Sequence, residues 1–201
     1  MNGTQPSSCY WNPTAKKIGL TFAYCLIVLI SLAGNTAIGI IVYKTKTMRK
    51  PINFLIVNMA MSDLLIPIFL IPTDIRVLYT NSFLIGGPLG QALCKLVGFL
   101  PHVSIVVSVQ SLVLIAVDRF GAVVFPLRSP LISSKLRPFL ILASWIIAMA
   151  VQSPFLFALK LVEYPGELVC ELRWEEVFGE SSSFENYVAS TLMTFNLIRW
   201  C

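Results

Sequence analysis

The chain has few charged residues and a single histidine. Only 12% of its 201 residues are charged and 56% are hydrophobic, whereas about 25% of the residues of a typical soluble domain are charged. This composition excludes an ordinary soluble domain and indicates a membrane protein. One histidine leaves little general-base chemistry, and no nucleophile–base pair, phosphate-binding loop or metal cluster is present. We therefore expect neither an enzyme nor a resident cofactor.

Basic residues are too few and too scattered for a nucleic-acid surface. Lysine and arginine together number 15 against ten acids, which gives a net charge of +5. They lie in short clusters beside apolar runs and make no continuous basic face. We expect membrane lipid, and not nucleic acid, to surround this chain.

Four apolar runs are each long enough to cross a membrane as a helix. A helix rises about 1.5 Å per residue, so about 20 residues cross a hydrocarbon core of about 30 Å. A fifth run is shorter, and we expect it to form an incomplete helix. The predicted helices cover residues 18–43, 52–78, 92–125 and 136–159, with the incomplete fifth at 184–201. The sequence thus predicts an all-α membrane protein with an N-terminal segment, 1–17, before the helical domain, 18–201.

Charge differs between the two ends of these helices. Seven of the ten acids lie at residues 160–185, in the loop after the fourth run. Because cytoplasmic loops are rich in lysine and arginine, the loops after the first and third runs belong inside the cell. This predicts a multi-pass plasma-membrane protein with an extracellular N-terminus, on which Asn2 is a glycosylation acceptor. The basic loop residues are Lys44, Lys46, Arg49, Lys50, Arg119, Arg128, Lys135 and Arg137.

Three polar residues inside the apolar runs fall at one depth. Asn35, Asp63 and Ser108 lie about 12 to 16 Å from the cytoplasmic ends of their helices, at about 1.5 Å per residue. They could share a hydrated site for a cation, or they could form an interhelical hydrogen-bond network that only holds the helices together. On the third run, one stripe at helical spacing links the outer end to the cytoplasmic end. Its members are Pro101, Ile105, Ser108, Leu112, Ile115 and Arg119.

Two cysteines are placed on the oxidising side of the membrane. Cys94 begins the third run on the outer side, and Cys170 lies in the acidic loop. They are the natural pair for a disulfide, although Cys9 could also take either of them.

Several of these residues stand in motifs. They resemble the signatures of the rhodopsin-like (class A) G-protein-coupled receptors over residues 18–195. Phe120 stands where that family more often has tyrosine. The motifs are Gly34-Asn35, the run Asn58 to Leu65 that contains Asp63, Asp118-Arg119-Phe120, Trp145 and Pro154.

The resemblance implies a fold and a set of sites. The fold is the first four to five helices of a seven-transmembrane-helix bundle, and the disulfide is Cys94 to Cys170. Asp63 would hold a sodium ion with Asn35 and Ser108, and no other metal is expected. A heterotrimeric G protein would bind at Asp118, Arg119, Phe120, Pro126 and Leu127.

The resemblance also favours a peptide as the extracellular ligand. Amine-binding members carry an aspartate where this chain has Pro101, whereas Pro72 and the long acidic loop resemble the peptide-binding branch. The acidic loop would either attract a cationic peptide or form only a solvated surface. His102 would contact the ligand, sense pH, or hydrogen-bond to a neighbouring helix. The ligand-pocket candidates are Asp74, Pro101, His102, Ile105 and Glu171.

The sequence departs from the family towards its C-terminal end. Phe195 to Ile198 lacks the Phe-x-x-Pro of the fifth helix, and no sixth or seventh helix follows. We therefore expect an incomplete receptor chain that cannot signal alone. One alternative is a truncated isoform that does not signal and associates with full-length receptors as a dimer partner. The other is an unrelated four-span channel subunit or tetraspanin-like protein, although neither pore-lining periodicity nor a Cys-Cys-Gly signal is present.

Overall fold

The computed structural model describes residues 13–125 and 132–178. Asn2, Cys9, Pro126, Leu127 and the predicted fifth helix, 184–201, lie outside the described residues. The helices are α1 (Pro13–Lys44), α2 (Pro51–Asp63), α3 (Ile71–Thr80), α4 (Gly87–Val124), α5 (Leu136–Ala158) and α6 (Glu175–Phe178). A 3-10 turn at Lys46–Met48, a π-helical turn at Ile66–Leu70 and the strands β1 (Leu159–Tyr164) and β2 (Glu167–Leu172) complete the described elements.

The described residues contain four helical spans that are long and apolar enough to cross a membrane. They are Thr14–Lys44, Pro51–Thr80, Gly87–Val124 and Leu136–Ala158. The predicted class, an all-α membrane protein with the first helices of a seven-helix bundle, is confirmed. α4 begins five residues before the predicted position, at 87 against 92. Proline explains the difference, because Pro88 occupies a first-turn position where a missing backbone N–H costs nothing.

The second span changes its helical geometry halfway. α2 ends at Asp63, and a π-helical turn over Ile66–Leu70 leads into α3. Pro67 and Pro72 both lie in this region, and a proline ring cannot donate the helical hydrogen bond. A π turn holds an extra residue, so it changes which side chains of α3 face the neighbouring helices.

α4 lies at the centre of the described helices. It packs against α2 on one side, against α5 on another and against β1 at its outer end. Three members of the stripe named from the sequence, Ile105, Leu112 and Arg119, are exposed in the described structure, whereas its outermost member, Pro101, is buried. The buried face passes instead through Val97, Pro101, Ser104, Val107, Ser111 and Asp118. Small and β-branched residues dominate this face, which lets α2 and α5 approach closely.

A two-stranded antiparallel hairpin follows α5 directly. The register pairs Leu159 with Leu172 at its base and Tyr164 with Glu167 at its tip. Gly166 in the connecting turn has φ +88°, a conformation that glycine adopts without steric cost. The sequence predicts an acidic loop in this segment and no strands.

Candidate functional site

A hydrogen-bond network joins α2 and α4 at mid-membrane. The Ser108 hydroxyl donates to Asp63 Oδ1 at 2.5 Å, and the Ser62 and Ser108 hydroxyl oxygens are 2.9 Å apart. The Ser104 hydroxyl donates to the backbone carbonyl of Ser62 at 2.8 Å. The carboxylate of Asp63 is therefore held by a hydroxyl of the neighbouring helix, as a polar group surrounded by lipid requires.

Asn35, the third residue predicted for this level, has different partners. Its side-chain amide donates to the Ser31 carbonyl at 2.9 Å and to the Ser31 hydroxyl at 3.1 Å, both within α1. Within residues 13–125 and 132–178 it makes no hydrogen bond to Asp63 or Ser108. The structure thus brings two of the three residues together, and a shared cation site for all three stays a prediction.

Asn58 connects three helices one turn nearer the cytoplasmic end. Its amide nitrogen donates to the Ser111 hydroxyl of α4 at 3.0 Å and lies 3.5 Å from the Ser144 hydroxyl of α5. The Trp145 indole N–H donates to Asn58 Oδ1 at 2.9 Å. Asn58 is only 7% exposed, so its carboxamide supplies both donor and acceptor groups in a buried place. The sequence motif contained Asn58 and Trp145, but their partnership is visible only in the structure.

The hairpin is attached to the outer end of α4 in two ways. The disulfide that the resemblance implied is present, and it joins Cys94 to Cys170 with a Cα–Cα distance of 5.7 Å. In addition, Gln91 Nε2 donates to the Leu159 carbonyl at 3.1 Å, and the Leu161 N–H donates to Gln91 Oε1 at 2.8 Å. Sequence reasoning missed Gln91, although its position one turn before Cys94 places it on the same face of α4.

Two glycines of α4 allow this close approach. A Cβ atom at Gly98 would lie 2.6 Å from Leu159 Cδ1, and one at Gly90 would lie 2.9 Å from Leu161 Cδ2. Both distances are shorter than ordinary van der Waals contact, and a Cβ atom at Gly90 would also lie 1.9 Å from the backbone carbonyl oxygen of Ile85. A larger residue would therefore press on β1 at Gly98, and first on the chain that enters α4 at Gly90. Gly90, Gln91, Cys94 and Gly98 thus form the surface of α4 on which the hairpin rests.

An aromatic stack lies below the hairpin. The His102 imidazole stacks on the Phe155 ring with 4.2 Å between centroids, and Trp174 meets Phe155 edge-on at 5.1 Å. His102 Nδ1 donates to the Gly98 carbonyl at 2.6 Å, one turn earlier in the same helix. The hydrogen bond of His102 to Gly98 thus lies within its own helix, and its contact with the neighbouring helix α5 is ring stacking. Ligand contact and pH sensing stay predictions.

The other pocket candidates lie in separate places. Pro101 is buried, Asp74 is half-buried on α3, and Ile105 is 36% exposed on α4. Glu171 lies on the hairpin face opposite to Cys170, because side chains alternate along a strand. Its carboxylate accepts a hydrogen bond from the Tyr164 hydroxyl at 3.0 Å. A ligand-binding role for these four residues stays a prediction.

Two glutamates near the base of the hairpin, Glu171 of β2 and Glu176 of α6, are paired with cations. Arg173 lies 3.5 Å from Glu171 and 2.7 Å from Glu176, and Lys160 forms an ion pair with Glu176. Hydrogen bonds from Lys160 and then Arg173 lower the pKa of Glu176, and the bond to Glu176 is the largest cause that raises the pKa of Arg173.

Glu163 and Glu167, by contrast, are exposed beside the hairpin turn and form no ion pair with any described residue. The unpaired negative charge of the described hairpin is therefore concentrated at its tip.

The cytoplasmic end of α4 carries the Asp118-Arg119-Phe120 motif. Asp118 is 7% exposed, and its Oδ1 accepts a hydrogen bond from the backbone N–H of Ile132 at 3.1 Å. Ile132 itself packs with Ile52 and Leu55 of α2. Arg119 and Phe120 are exposed, and within the described part of the chain Arg119 makes no ion pair with Asp118. The Asp118 carboxylate is turned instead towards the chain that returns to α5.

Comparison with known proteins gives a consistent picture. The family model of the 7 transmembrane receptor (rhodopsin family) matches residues 34–199. The QRFP-like peptide receptor of Branchiostoma floridae is 36% identical over 170 residues, which cover 81% of this chain and 43% of that protein. The neuropeptide FF receptor 2 of Mus musculus is 36% identical over 141 residues, 70% of this chain and 33% of that receptor. The RYamide receptor of Drosophila melanogaster is 32% identical over 190 residues, 94% of this chain and 40% of that receptor.

The chain spans less than half the length of each of these relatives. Their similarity nevertheless covers most of the chain. The range matched by the family model contains Cys94, Cys170, Asp63 and the Asp118-Arg119-Phe120 motif. The chain belongs to the rhodopsin family of seven-transmembrane receptors.

Proposed function

We propose that this chain is part of a receptor that binds an extracellular peptide and acts on a heterotrimeric G protein. The observation that carries the proposal is the arrangement of α4. Its outer end holds a hairpin through a disulfide and Gln91, and its other end exposes Arg119 and Phe120. One rigid helix thus connects a ligand-facing surface to a coupling surface. Relatives named as peptide receptors in three animals support the peptide as the class of ligand.

The orientation follows from the two ends of the bundle. Because disulfides persist on the oxidising side of a membrane, the end with Cys94 and Cys170 faces outwards. The opposite end carries basic loops, as cytoplasmic loops do. The N-terminus is then extracellular in the plasma membrane. Treatment with a glycosidase tests this orientation, since a mobility shift that Asn2→Gln abolishes places the N-terminus outside.

The exposed glutamates at the hairpin tip favour a ligand of positive charge. Glu163 and Glu167 are exposed beside the turn, whereas Glu171 and Glu176 are occupied by Arg173 and Lys160. The tip therefore favours a peptide that carries a positive charge, and its attraction weakens as salt screens it.

Binding of labelled neuropeptide FF and RYamide to membranes that contain the chain tests this function. Saturable binding that weakens with salt and with Glu163→Gln plus Glu167→Gln is the expected result. The control for each single replacement, Glu163→Gln or Glu167→Gln, is Glu176→Gln, which removes one charge that is already paired with cations. Binding of cationic and neutral peptides with the same affinity would contradict the proposed charge preference, and no saturable binding of any peptide would contradict the peptide function.

Coupling depends on the exposed Arg119 guanidinium. Asp118 is engaged by Ile132, so Arg119 presents its donors to a partner surface. Ligand-stimulated nucleotide exchange by a G protein measures this step in the receptor of which this chain is proposed to be part. Arg119→Ala should abolish the exchange and leave peptide binding intact, whereas exchange that persists in Arg119→Ala would contradict the assigned role.

We also propose that Asp63 and Ser108 hold a sodium ion. A carboxylate oxygen and a hydroxyl oxygen 2.5 Å apart offer hard oxygen ligands in a low-dielectric place. Replacing choline chloride by sodium chloride at equal ionic strength should raise the melting temperature of the chain, and Asp63→Asn should remove this rise. An equal response to both salts would argue for a purely structural hydrogen-bond network.

A further inference from the structure

The hairpin carries one tyrosine on its outer face, beside the turn. Tyr164 is the last residue of β1 and pairs with Glu167, the first residue of β2. Because side chains alternate along a strand, Tyr164 lies on the hairpin face opposite to Cys170, the residue that is bonded to α4. Tyr164 is 43% exposed. Its phenolic oxygen, which is a nucleophile once its proton is removed, can therefore be reached from outside the bundle.

Two acids flank Tyr164, one along the chain and one across the turn. Glu163 directly precedes it in the sequence, and Glu167 is its partner on the opposite strand. Both glutamates are exposed, and neither forms an ion pair with any described residue. The tyrosine is thus surrounded by negative charge that nothing in the described structure neutralises.

The cations of the same region are occupied by other acids. Lys160 forms an ion pair with Glu176. Arg173 lies 2.7 Å from Glu176 and 3.5 Å from Glu171. Among the described residues, the unpaired charge near Tyr164 is therefore negative, and a protein with a cationic surface is attracted to this segment.

An anionic group on the Tyr164 oxygen would find a partner within the hairpin. The hydroxyl donates to Glu171 Oε1 at 3.0 Å, and Glu171 Oε2 lies 3.5 Å from Arg173 Nε. The hydrogen bond to Glu176 is the largest cause that raises the pKa of Arg173, and a hydrogen bond to Tyr164 is the next. An anion on this oxygen would repel Glu171 and take over the guanidinium of Arg173, which binds oxyanions through paired N–H groups.

The side of the membrane decides which anionic group can be transferred. The disulfide between Cys94 and Cys170 places the hairpin on the oxidising side, so it matures in the lumen of the secretory pathway. A lumenal transferase that uses adenosine phosphosulfate binds a polyanionic donor and needs a cationic site. Such a site favours a tyrosine that stands beside acids. This step rests on the orientation given under the proposed function.

We propose that Tyr164 is a tyrosine sulfation site, which a lumenal transferase recognises through Glu163 and Glu167. The phenolic oxygen attacks the donor sulfur, and the new O–S bond forms as the bond from sulfur to the nucleotide phosphate breaks. The electron pair leaves with adenosine bisphosphate, the phenolic proton passes to a base of the transferase, and nothing is oxidised or reduced. The product adds a permanent negative charge to the tip. Its effect on a cationic peptide rests on the proposed function, whereas the modification itself does not.

Trypsin gives a direct readout of Tyr164. Cleavage after Lys160 and Arg173 releases residues 161–173, which contain one tyrosine and no serine or threonine. The full chain is expressed in cells that sulfate secreted proteins, purified, reduced, alkylated and digested. We expect this peptide to carry the added mass of one sulfuryl group, which resists phosphatase, and to incorporate radioactive sulfate. In Tyr164→Phe, which removes only the hydroxyl, both signals should disappear.

Tyr79 is the matched control inside the same chain. It is 53% exposed at the outer end of α3, and no acid occurs in residues 75–83. Its tryptic peptide, residues 77–95, should stay unmodified although Tyr79 is the more exposed tyrosine. Glu163→Gln combined with Glu167→Gln should lower the sulfated fraction of the Tyr164 peptide about fivefold, the size of effect expected for exposed charge pairs.

Four outcomes would overturn the proposal. The first is an unmodified 161–173 peptide in chain whose Asn2 carries a Golgi-processed glycan, because that chain has passed through the lumen. The second is an added mass that phosphatase removes, which would identify phosphate. The third is equal modification of the Tyr79 peptide, and the fourth is an unchanged sulfated fraction in the double glutamine variant. Absence of both glycan and sulfate would contradict the orientation as well, so Asn2 tells the two failures apart. The main readout uses the unaltered chain and needs no peptide or G protein, so it does not depend on a variant that folds or on the proposed ligand.

Discussion

Replacing Gln91 by methionine should loosen the hairpin without detaching it. Methionine keeps the length and bulk of glutamine and removes both polar groups. In the structure the Gln91 carboxamide takes the place of a neighbouring strand on the free edge of β1, because it accepts from the Leu161 N–H and donates to the Leu159 carbonyl. The disulfide between Cys94 and Cys170 remains, so the effect is confined to the edge of β1.

The magnitude follows from the two hydrogen bonds. Each contributes about 1 kcal/mol net, so their loss amounts to about 2 kcal/mol. Gln91 is half-buried, and water can therefore reach the groups that it leaves. We add no further cost for burial, and about 2 kcal/mol corresponds to a roughly 30-fold rise in the population of the open edge.

Hydrogen exchange of the amide of Leu161 measures this opening directly. In nanodiscs, exchange of the β1 peptide should accelerate about 30-fold in Gln91→Met, with exchange in the middle of α4 unchanged. Gln110→Met is the matched control, since Gln110 is half-buried on the same helix and its amide makes no hydrogen bond to any described residue. Unchanged exchange at Leu161, or an equal acceleration in the control, would refute the reasoning.

Three further predictions concern other levels of the bundle. Asn58→Leu should lower the unfolding free energy by about 2 kcal/mol, because interhelical hydrogen bonds in membranes contribute about 0.6 to 2 kcal/mol each and the Trp145 N–H loses its acceptor. Denaturation in detergent measures this free energy. Unaltered stability would contradict the role of Asn58 in connecting the helices. Gly98→Ala should lower the unfolding free energy by about 1 to 3 kcal/mol, because the new Cβ would lie 2.6 Å from Leu159 Cδ1. Faster reduction of the disulfide would report the displaced hairpin. Gly39→Ala is the control and should have little effect, because nothing lies within 4 Å of a Cβ at that position. The lowered pKa of Glu176 means that its contribution to hairpin stability is present above pH about 4.3, the ordinary value, and is lost as the pH falls below it. Hydrogen exchange of the hairpin amides at pH values on either side of this point measures the loss of stability. Glu176→Gln should abolish this pH dependence, and an unchanged pH dependence in that variant would contradict the prediction.

The spans and the family could be read from the sequence because their signals are local. A run of about 20 apolar residues forms a spanning helix whatever surrounds it, since the bilayer leaves no other way to satisfy the backbone. The same holds for Asp63 and Ser108, whose depths follow from counting residues along two helices. Depth alone could not show that Asn35 bonds to Ser31 within its own helix.

The hairpin shows why other features were out of reach. In β1, Leu159 and Leu161 alternate with Lys160 and Val162, and in β2 Leu168, Cys170 and Leu172 occupy every second position. Within an acidic segment this pattern is short, and a two-stranded hairpin is marginal by itself. α4 stabilises the hairpin through Gln91 and through the glycines that permit close contact, and no local sequence pattern predicts this contact.

The sequence by itself determined the membrane class, the four described spans, the family and the level of each polar residue, because each of these depends on composition or on distance along one helix. Only the tertiary structure decided which side of α4 is buried, that Asp118 binds Ile132 and not Arg119, and that Arg137 lies on Phe54. Such contacts depend on the rotation of one helix against another. That rotation is set by the packing of many small residues together, and no single residue in the sequence encodes it.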